Sequence, residues 1–180
     1  MCKKFSKHAG FTLIELMIII AIAGILVSVA IPSFNSIISS NRLTTYANEL
    51  VTALNLARSE AVKRGVQVTI SNGTASSDWG SGWTIFTDIN GNGVHDGADL
   101  LLRTYPALTA GYTLITGANY TCWVAYDGMG LSRGSGVACN GGLPNDTFRL
   151  CYGTDNTLSR AITINTVGRA VVSTGTRSCP

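Results

Sequence analysis

Twenty-one residues from Phe11 to Ile31, nearly all apolar, follow a short segment that carries Lys3, Lys4 and Lys7. At about 1.5 Å of rise per residue such a run forms a helix of about 31 Å. That is enough to cross a hydrocarbon core of about 30 Å. Positive charge ahead of the run is expected to hold the N-terminus in the cytoplasm and send the C-terminus outward. A secretory signal peptide would show a shorter apolar core and a small-residue cleavage site after it. Here the run passes through Pro32 into a longer helical pattern. A plain anchor is also a poor description, because Glu15 sits five residues into the run. A carboxylate inside a span is costly and is usually there for a function.

The chain has 180 residues, enough for one domain with its own core and one further element. The three leader lysines equal the formal net charge of +3, so acids and bases balance in the rest of the chain. The basic balance is therefore no argument for nucleic acid. Of five cysteines, Cys2 lies in the leader and Cys122, Cys139, Cys151 and Cys179 lie in the last third. An even number in an exported domain suggests two disulfides, and three pairings exist. Sequential pairing, Cys122–Cys139 and Cys151–Cys179, suits adjacent strands and would staple the C-terminal tail. No CxxC or Cys/His spacing suggests a metal centre.

Beyond Pro32, Leu43, Ala47, Leu50, Leu54, Ala57 and Ala61 recur at steps of three and four, which places them on one helix face. Asn48, Glu49, Asn55, Arg58 and Ser59 fall opposite. Lys63 and Arg64 suit the negative end of this helix, and Gly65 suits its cap. A bend or a melted turn is expected at Gly24 and Pro32. From Val66 the period changes to two. Strands are expected at 66–70, 83–87, 100–105, 112–116, 122–126, 147–151, 161–165 and 170–173, with turn residues between them. The expected class is α+β: a long N-terminal helix, transmembrane in its first half, packed on an antiparallel β domain. The expected boundaries are leader 1–10, transmembrane helix 11–31, amphipathic continuation 32–65 and β-rich domain 66–180.

Gly10-Phe11-Thr12-Leu13-Ile14-Glu15, set between a basic leader and an apolar helix with Pro32, closely resembles the processing motif of type IV prepilins. The resemblance implies cleavage after Gly10 by a membrane prepilin peptidase and methylation of Phe11 as the new N-terminus. It also implies that Glu15 and Pro32 serve filament assembly. Glu15 could pair with the Phe11 amine of a neighbouring subunit, since an unpaired buried charge costs several kcal/mol. Trp79-Gly80-Ser81-Gly82-Trp83 through Gly93, with Ala57-Arg58-Ser59-Glu60-Ala61, resembles the minor pilin and pseudopilin subgroup called FimU, FimT or GspH. That likeness implies other major and minor pilins, an inner-membrane assembly platform and the lipid bilayer as partners. It implies a single-pass protein of the bacterial inner membrane with a periplasmic C-terminal domain, later in a pilus or at the cell surface. The role implied is priming of pilus assembly or the pilus tip. Natural transformation and type II secretion are the alternatives.

Two further sites are suggested. Asp88, Asn90, Asn92, Asp96 and Asp99 stand at calcium-loop positions, with Gly93 where the sharp turn belongs. Calcium is thus a candidate ligand, although Asp99 is shorter than the usual Glu and the flanks read as strands. A polar hairpin turn is the competing reading. One branch of the subgroup binds DNA through a C-terminal Gly-Arg-x-Arg pattern, of which Gly168-Arg169 is the first half. Arg160 and Arg177 are the added candidates, with Arg133 and Arg149 behind them. A DNA groove needs several cations converging on phosphates. His8 leaves with the leader, so His95 is the remaining histidine. No Ser/His/Asp or Cys/His set forms around it, and no catalytic role is expected.

Overall fold

The computed structural model describes residues 10–139, 141–175 and 179. It divides into two compact units, up to Ile38 and from Ser39 onward. Helix α1, Leu13–Arg64, contributes to both. Helical backbone continues through Gly24 and Pro32 rather than melting there. A proline removes one hydrogen bond from the ladder, and the neighbouring turns keep theirs. The side chain of Pro32 lies outside those described.

In the first unit every described side chain from Gly10 to Val29 is exposed. Phe34, Ile37 and Ile38 are exposed too, so the uncovered apolar stretch outlasts the 31/32 boundary expected from sequence. The helix is long and apolar enough to cross a membrane.

In the second unit Leu43, Ala47, Leu50, Ala53, Leu54, Ala57 and Ala61 are fully buried, forming the apolar stripe that the sequence period requires. The helix ends where the Gly65 N–H meets the Ala61 carbonyl at 2.8 Å. Glu60 bonds both basic residues of the last turn, Lys63 at 3.4 Å and Arg64 at 2.6 Å.

Among the described residues the strands are β1 Val68–Ser71, β2 Trp83–Thr87, β3 Leu101–Tyr105, β4 Tyr112–Ile115, β5 Trp123–Tyr126, β6 Ser132–Gly134, β7 Asp146–Tyr152, β8 Ser159–Ile164 and β9 Ala170–Thr174. They form a five-stranded sheet in the order β3-β2-β1-β5-β6 and a four-stranded sheet in the order β4-β7-β8-β9. All pairings are antiparallel. Val68, Ile70, Ile85, Val124 and Tyr126 from the first sheet join Leu114, Phe148, Leu150, Ile162 and Ile164 from the second in one core with the helix stripe. Trp79 plugs this core. Its ring meets Phe148 edge-on at 5.0 Å, and its Nε1 donates to the Tyr120 carbonyl at 3.1 Å. Burial pushes the Tyr120 phenol well above its ordinary range, and the hydroxyl donates to the Pro144 carbonyl at 2.6 Å.

Because strand side chains alternate, the first sheet has a second face. Cys122, Trp123 and Ala125 form a separate buried cluster there. Thr69 and Phe86 are also buried, so the four residues of β1 are covered on both faces.

Candidate functional site

Gly10, Phe11 and Thr12 precede α1 and lie outside any helix or strand, with Phe11 exposed. Thr12 and Glu15 form a capping box. The Glu15 N–H donates to Thr12 Oγ1, while the Thr12 N–H and hydroxyl reach Glu15 Oε2, each at 3.3 Å. This reciprocal arrangement satisfies donors that a helix start leaves unpaired. The Thr-x-x-Glu pattern is visible in the sequence, yet the reading centred on the buried carboxylate missed it. Glu15 is thus satisfied within its own chain in this state. The acidic side chain is also well placed against the positive helix end.

The loop between β2 and β3 departs from the calcium arrangement. Asp88 is 1% exposed and turns into the protein. Its Oδ2 accepts from Thr69 Oγ1 at 2.7 Å, the Gly93 N–H at 2.9 Å and Gln67 Nε2 at 3.0 Å. Its Oδ1 accepts from the Asn92 N–H at 3.0 Å. Asp96 Oδ2 is taken by the amides of Asn90 and Asn92 at 2.8 and 3.2 Å. Asp99 caps the backbone N–H groups of Ile89 and Asp96 at 3.1 and 3.2 Å. Among the described residues no three His, Cys, Asp or Glu side chains converge as a metal site. The oxygen atoms that the sequence pattern offered to a cation instead hold the loop's own N–H groups. Hydrogen bonds from Asn90 first, then from the Ala98 backbone and Asn92, hold the Asp96 carboxyl below its ordinary value.

The basic candidates do not converge. Arg160 lies at the start of β8, and its guanidinium donates to Ser40 Oγ at 3.1 Å and Thr44 Oγ1 at 3.3 Å on α1. Arg169 is exposed at the opposite end of the β8–β9 hairpin, next to the Ile164–Ala170 pair. Five residues of strand separate the two by about 16 Å. Gly168, the first half of the pattern, has a local role. At φ +79° a Cβ would lie 2.8 Å from the Gly130 carbonyl oxygen and from the Tyr126 ring. Arg133 is 3.7 Å from Asp127. Arg149 lies mid-strand in β7, paired with Ile115 and Ala161. Arg177 lies outside the described residues.

Cys122 is bonded to Cys139 and Cys151 to Cys179. The first bridge lies on the outer face of the five-stranded sheet. The second ties Cys179 to the inner strand β7. His95 meets the Phe86 ring edge-on at 5.3 Å.

The family model described as prokaryotic N-terminal methylation motif matches residues 5–31, and that of type II transport protein GspH matches residues 46–168. A fimbrial protein of Pseudomonas aeruginosa is 37% identical over 84 residues, 47% of this chain and 54% of its own length. The type IV major alpha-pilin of Moraxella bovis is 49% identical over 45 residues, 25% of this chain and 28% of its own. The chain thus spans about half or less of the length of these curated relatives. The crystal structure of the Pseudomonas aeruginosa type IV minor pilin FimU superposes with a TM-score of 0.60 at 22% identity, over 77% of this chain and 93% of that one. At that identity the likeness is one of fold. The methylation motif, the exposed apolar helix and a family match over well more than half of the chain agree: the chain belongs to the GspH family of type IV pilin-like proteins.

Proposed function

We propose that this chain is a minor structural subunit of a type IV pilus, working at the priming step or the tip, and not an enzyme. The observation that carries this reading is the run of exposed apolar side chains on α1 with Glu15 at its start. Twenty or so uncovered apolar residues need either lipid or like helices around them. The helix waits in the bilayer, N-terminus inward, and then packs among similar helices in a filament core. Cleavage after Gly10 by a prepilin peptidase turns the amide of Phe11 into a charged amine, which is then methylated. That amine is one residue from the Thr12 N–H that Glu15 already accepts. In a packed core the carboxylate exchanges its Thr12 bonds for the amine of a neighbouring subunit, which offsets its desolvation and fixes axial register. The assembly platform of the inner membrane and the other pilins are the partners.

A pseudopilin role in type II secretion is the second reading, favoured by the family description of residues 46–168. Deletion of the gene separates the two: loss of surface fibres supports the pilus, and loss of exoprotein release with fibres intact supports secretion. DNA uptake lacks a comparable footing, because Arg160 is engaged with α1 and Arg169 stands about 16 Å away. Maturation is tested by mass spectrometry of the membrane-extracted protein. A mature N-terminus at methylated Phe11 is the expected result, and an intact leader overturns the reading.

A further inference from the structure

Each sheet ends in two edge strands, and an edge presents unpaired backbone N–H and C=O groups that attract another strand. Three of the four edges are blunted. β4 is covered by residues 77–79: Asp78 bridges Ile115, the Trp79 N–H donates to the Leu114 carbonyl at 2.7 Å, and the Thr116 N–H donates to the Ser77 carbonyl at 2.9 Å. β6 is three residues long, carries Arg133 and is bridged from Gly134 to Gly142. β3 pairs through a bulge at Ile85/Phe86 and carries Arg103 at its centre. β9 has none of these devices. Its five residues hold no charge, proline or bulge, and no further strand pairs with it among the described residues. We propose that β9 is a docking edge for an extended, uncharged segment of another protein, a binding function separate from assembly through α1.

The register fixes which groups are free. The Asn165 N–H donates to the Arg169 carbonyl at 3.1 Å, and the Gly175 N–H donates to the Ser159 carbonyl at 3.2 Å. Backbone groups alternate in direction along an antiparallel pair, so Arg169, Val171, Ser173 and Gly175 face β8. Ala170, Val172 and Thr174 point their N–H and C=O groups away from it. Side chains alternate between the two faces of the sheet. Val172 lies opposite buried Ile162 on the inner face and is 41% exposed, while Val171 on the outer face is 55% exposed. The edge therefore offers an open backbone ladder with apolar contact on both faces.

The edge also selects its occupant. Residues 170–175 carry no charge, so charged side chains in the middle of an incoming segment would lose hydration there without a partner. Arg169, exposed at the start of β9, suits a carboxylate at that end. In antiparallel pairing, the more stable of the two arrangements, this carboxylate belongs at the C-terminal end of the incoming segment. A second copy of this chain is a poor fit. Arg160 at the start of β8 bonds Ser40 and Thr44, while the β8–β9 turn packs through Gly168 onto Gly130, which lies against Arg58 and Val62. The hairpin thus runs along α1. Two β9 edges paired antiparallel would point their helices in opposite directions, which a shared membrane orientation forbids.

The test uses the full-length protein in detergent. Its probe is a synthetic acetylated peptide of alternating threonine and valine that ends in glutamate, and amide hydrogen exchange is read by NMR. The peptide should bind saturably with Kd of about 1 mM or tighter. At saturation, exchange at Ala170, Val172 and Thr174 should slow at least tenfold, while Val171 and Ser173, already facing β8, should be unchanged. The same peptide N-methylated at every residue should give no protection. Val172→Pro keeps the β8–β9 ladder, because the N–H it removes faces outward, and should abolish protection at Ala170 and Thr174. Should Val172→Pro fail to fold by near-UV circular dichroism, Val171→Lys on the outer face should still weaken binding severalfold. No saturable protection, equal slowing at Val171 and Ser173, equal binding of the N-methylated peptide or by a folded variant, or protection that grows with protein concentration without peptide, as a second copy on the edge would give, overturns the proposal.

Discussion

Replacing Asp88 by Asn tests the reassignment of the loop after β2 from cation ligand to internal anchor. The carboxylate accepts four hydrogen bonds, three on Oδ2 and one on Oδ1, while 1% exposed. Asn has the same shape but only one acceptor oxygen. With that oxygen at the Oδ2 position, the side-chain NH₂ faces the Asn92 N–H, donor against donor. The three remaining bonds also lose their charge assistance, worth about 1 kcal/mol each. With about 1–3 kcal/mol for the unpaired Asn92 N–H, the sum is a destabilisation of about 4–6 kcal/mol, or about 12–18 °C in Tm for a domain of this size. Near-UV circular dichroism is the assay, because it follows the tryptophans of the β domain and not the apolar helix. Asp96→Asn is the control: its carboxylate is exposed and bonds only side-chain and local backbone groups, so a much smaller shift in Tm is expected. Equal shifts for the two variants, or a shift under about 2 °C for Asp88→Asn, would refute the reasoning.

Leu50→Ala, in the middle of the fully buried helix stripe, should cost about 2–5 kcal/mol in urea unfolding of the β domain while leaving membrane insertion intact. Reduction of the Cys151–Cys179 bridge, which closes a 28-residue separation, should remove about 3.5 kcal/mol; reduction of Cys122–Cys139, with a separation of 17, should remove about 3 kcal/mol. Single Cys→Ser pairs measured against the parent check this ranking. The Asp96 carboxyl is held below its ordinary value of 3.8 by Asn90, the Ala98 backbone and Asn92. Its contribution is therefore complete above that value and is lost as pH falls through the depressed folded value. Amide protection at residues 90–98, taken relative to the intrinsic exchange rate at each pH, should fall on acidification below about pH 4, and this fall should disappear in Asp96→Asn.

Most of the fold could be read from the chain because its patterns are strong. The stripe from Leu43 to Ala61 repeats at steps of three and four against a polar face, and seven of its residues, Ala53 included, are buried. Strands β2 and β3 alternate between turn-rich segments and are found within a residue of expectation. Strand β6, Ser132–Gly134, went unseen because three residues containing Arg133 and Gly134 carry no alternation, and pairing with β5 supplies its order. Strand β1 starts at Val68 rather than Val66, and one further backbone bond, from the Asp88 N–H to the Gln67 carbonyl at 2.8 Å, continues its register with β2.

The sites were less legible, for a physical reason. Oxygen spacing in a loop is the same whether the carboxylate turns outward to a cation or inward to N–H groups, and only the position of Thr69 and Gln67 beneath Asp88 decides it. Likewise the Arg residues are close in sequence number, but the β8–β9 hairpin sends Arg160 and Arg169 to opposite ends. The Thr12–Glu15 box is local, three residues apart, and its pattern needs no tertiary context.

Incorporation of the chain into filaments is the most direct measure of what α1 does. Sheared fibres from cells expressing the parent or Glu15→Val would be quantified by mass spectrometry against the membrane pool. The parent should co-purify with the fibres at low abundance. Glu15→Val should stay in the membrane, normally inserted, with incorporation reduced at least tenfold. Parent protein found only in the membrane, or Glu15→Val incorporated at the parental level, would contradict the assembly role given to the helix and its carboxylate.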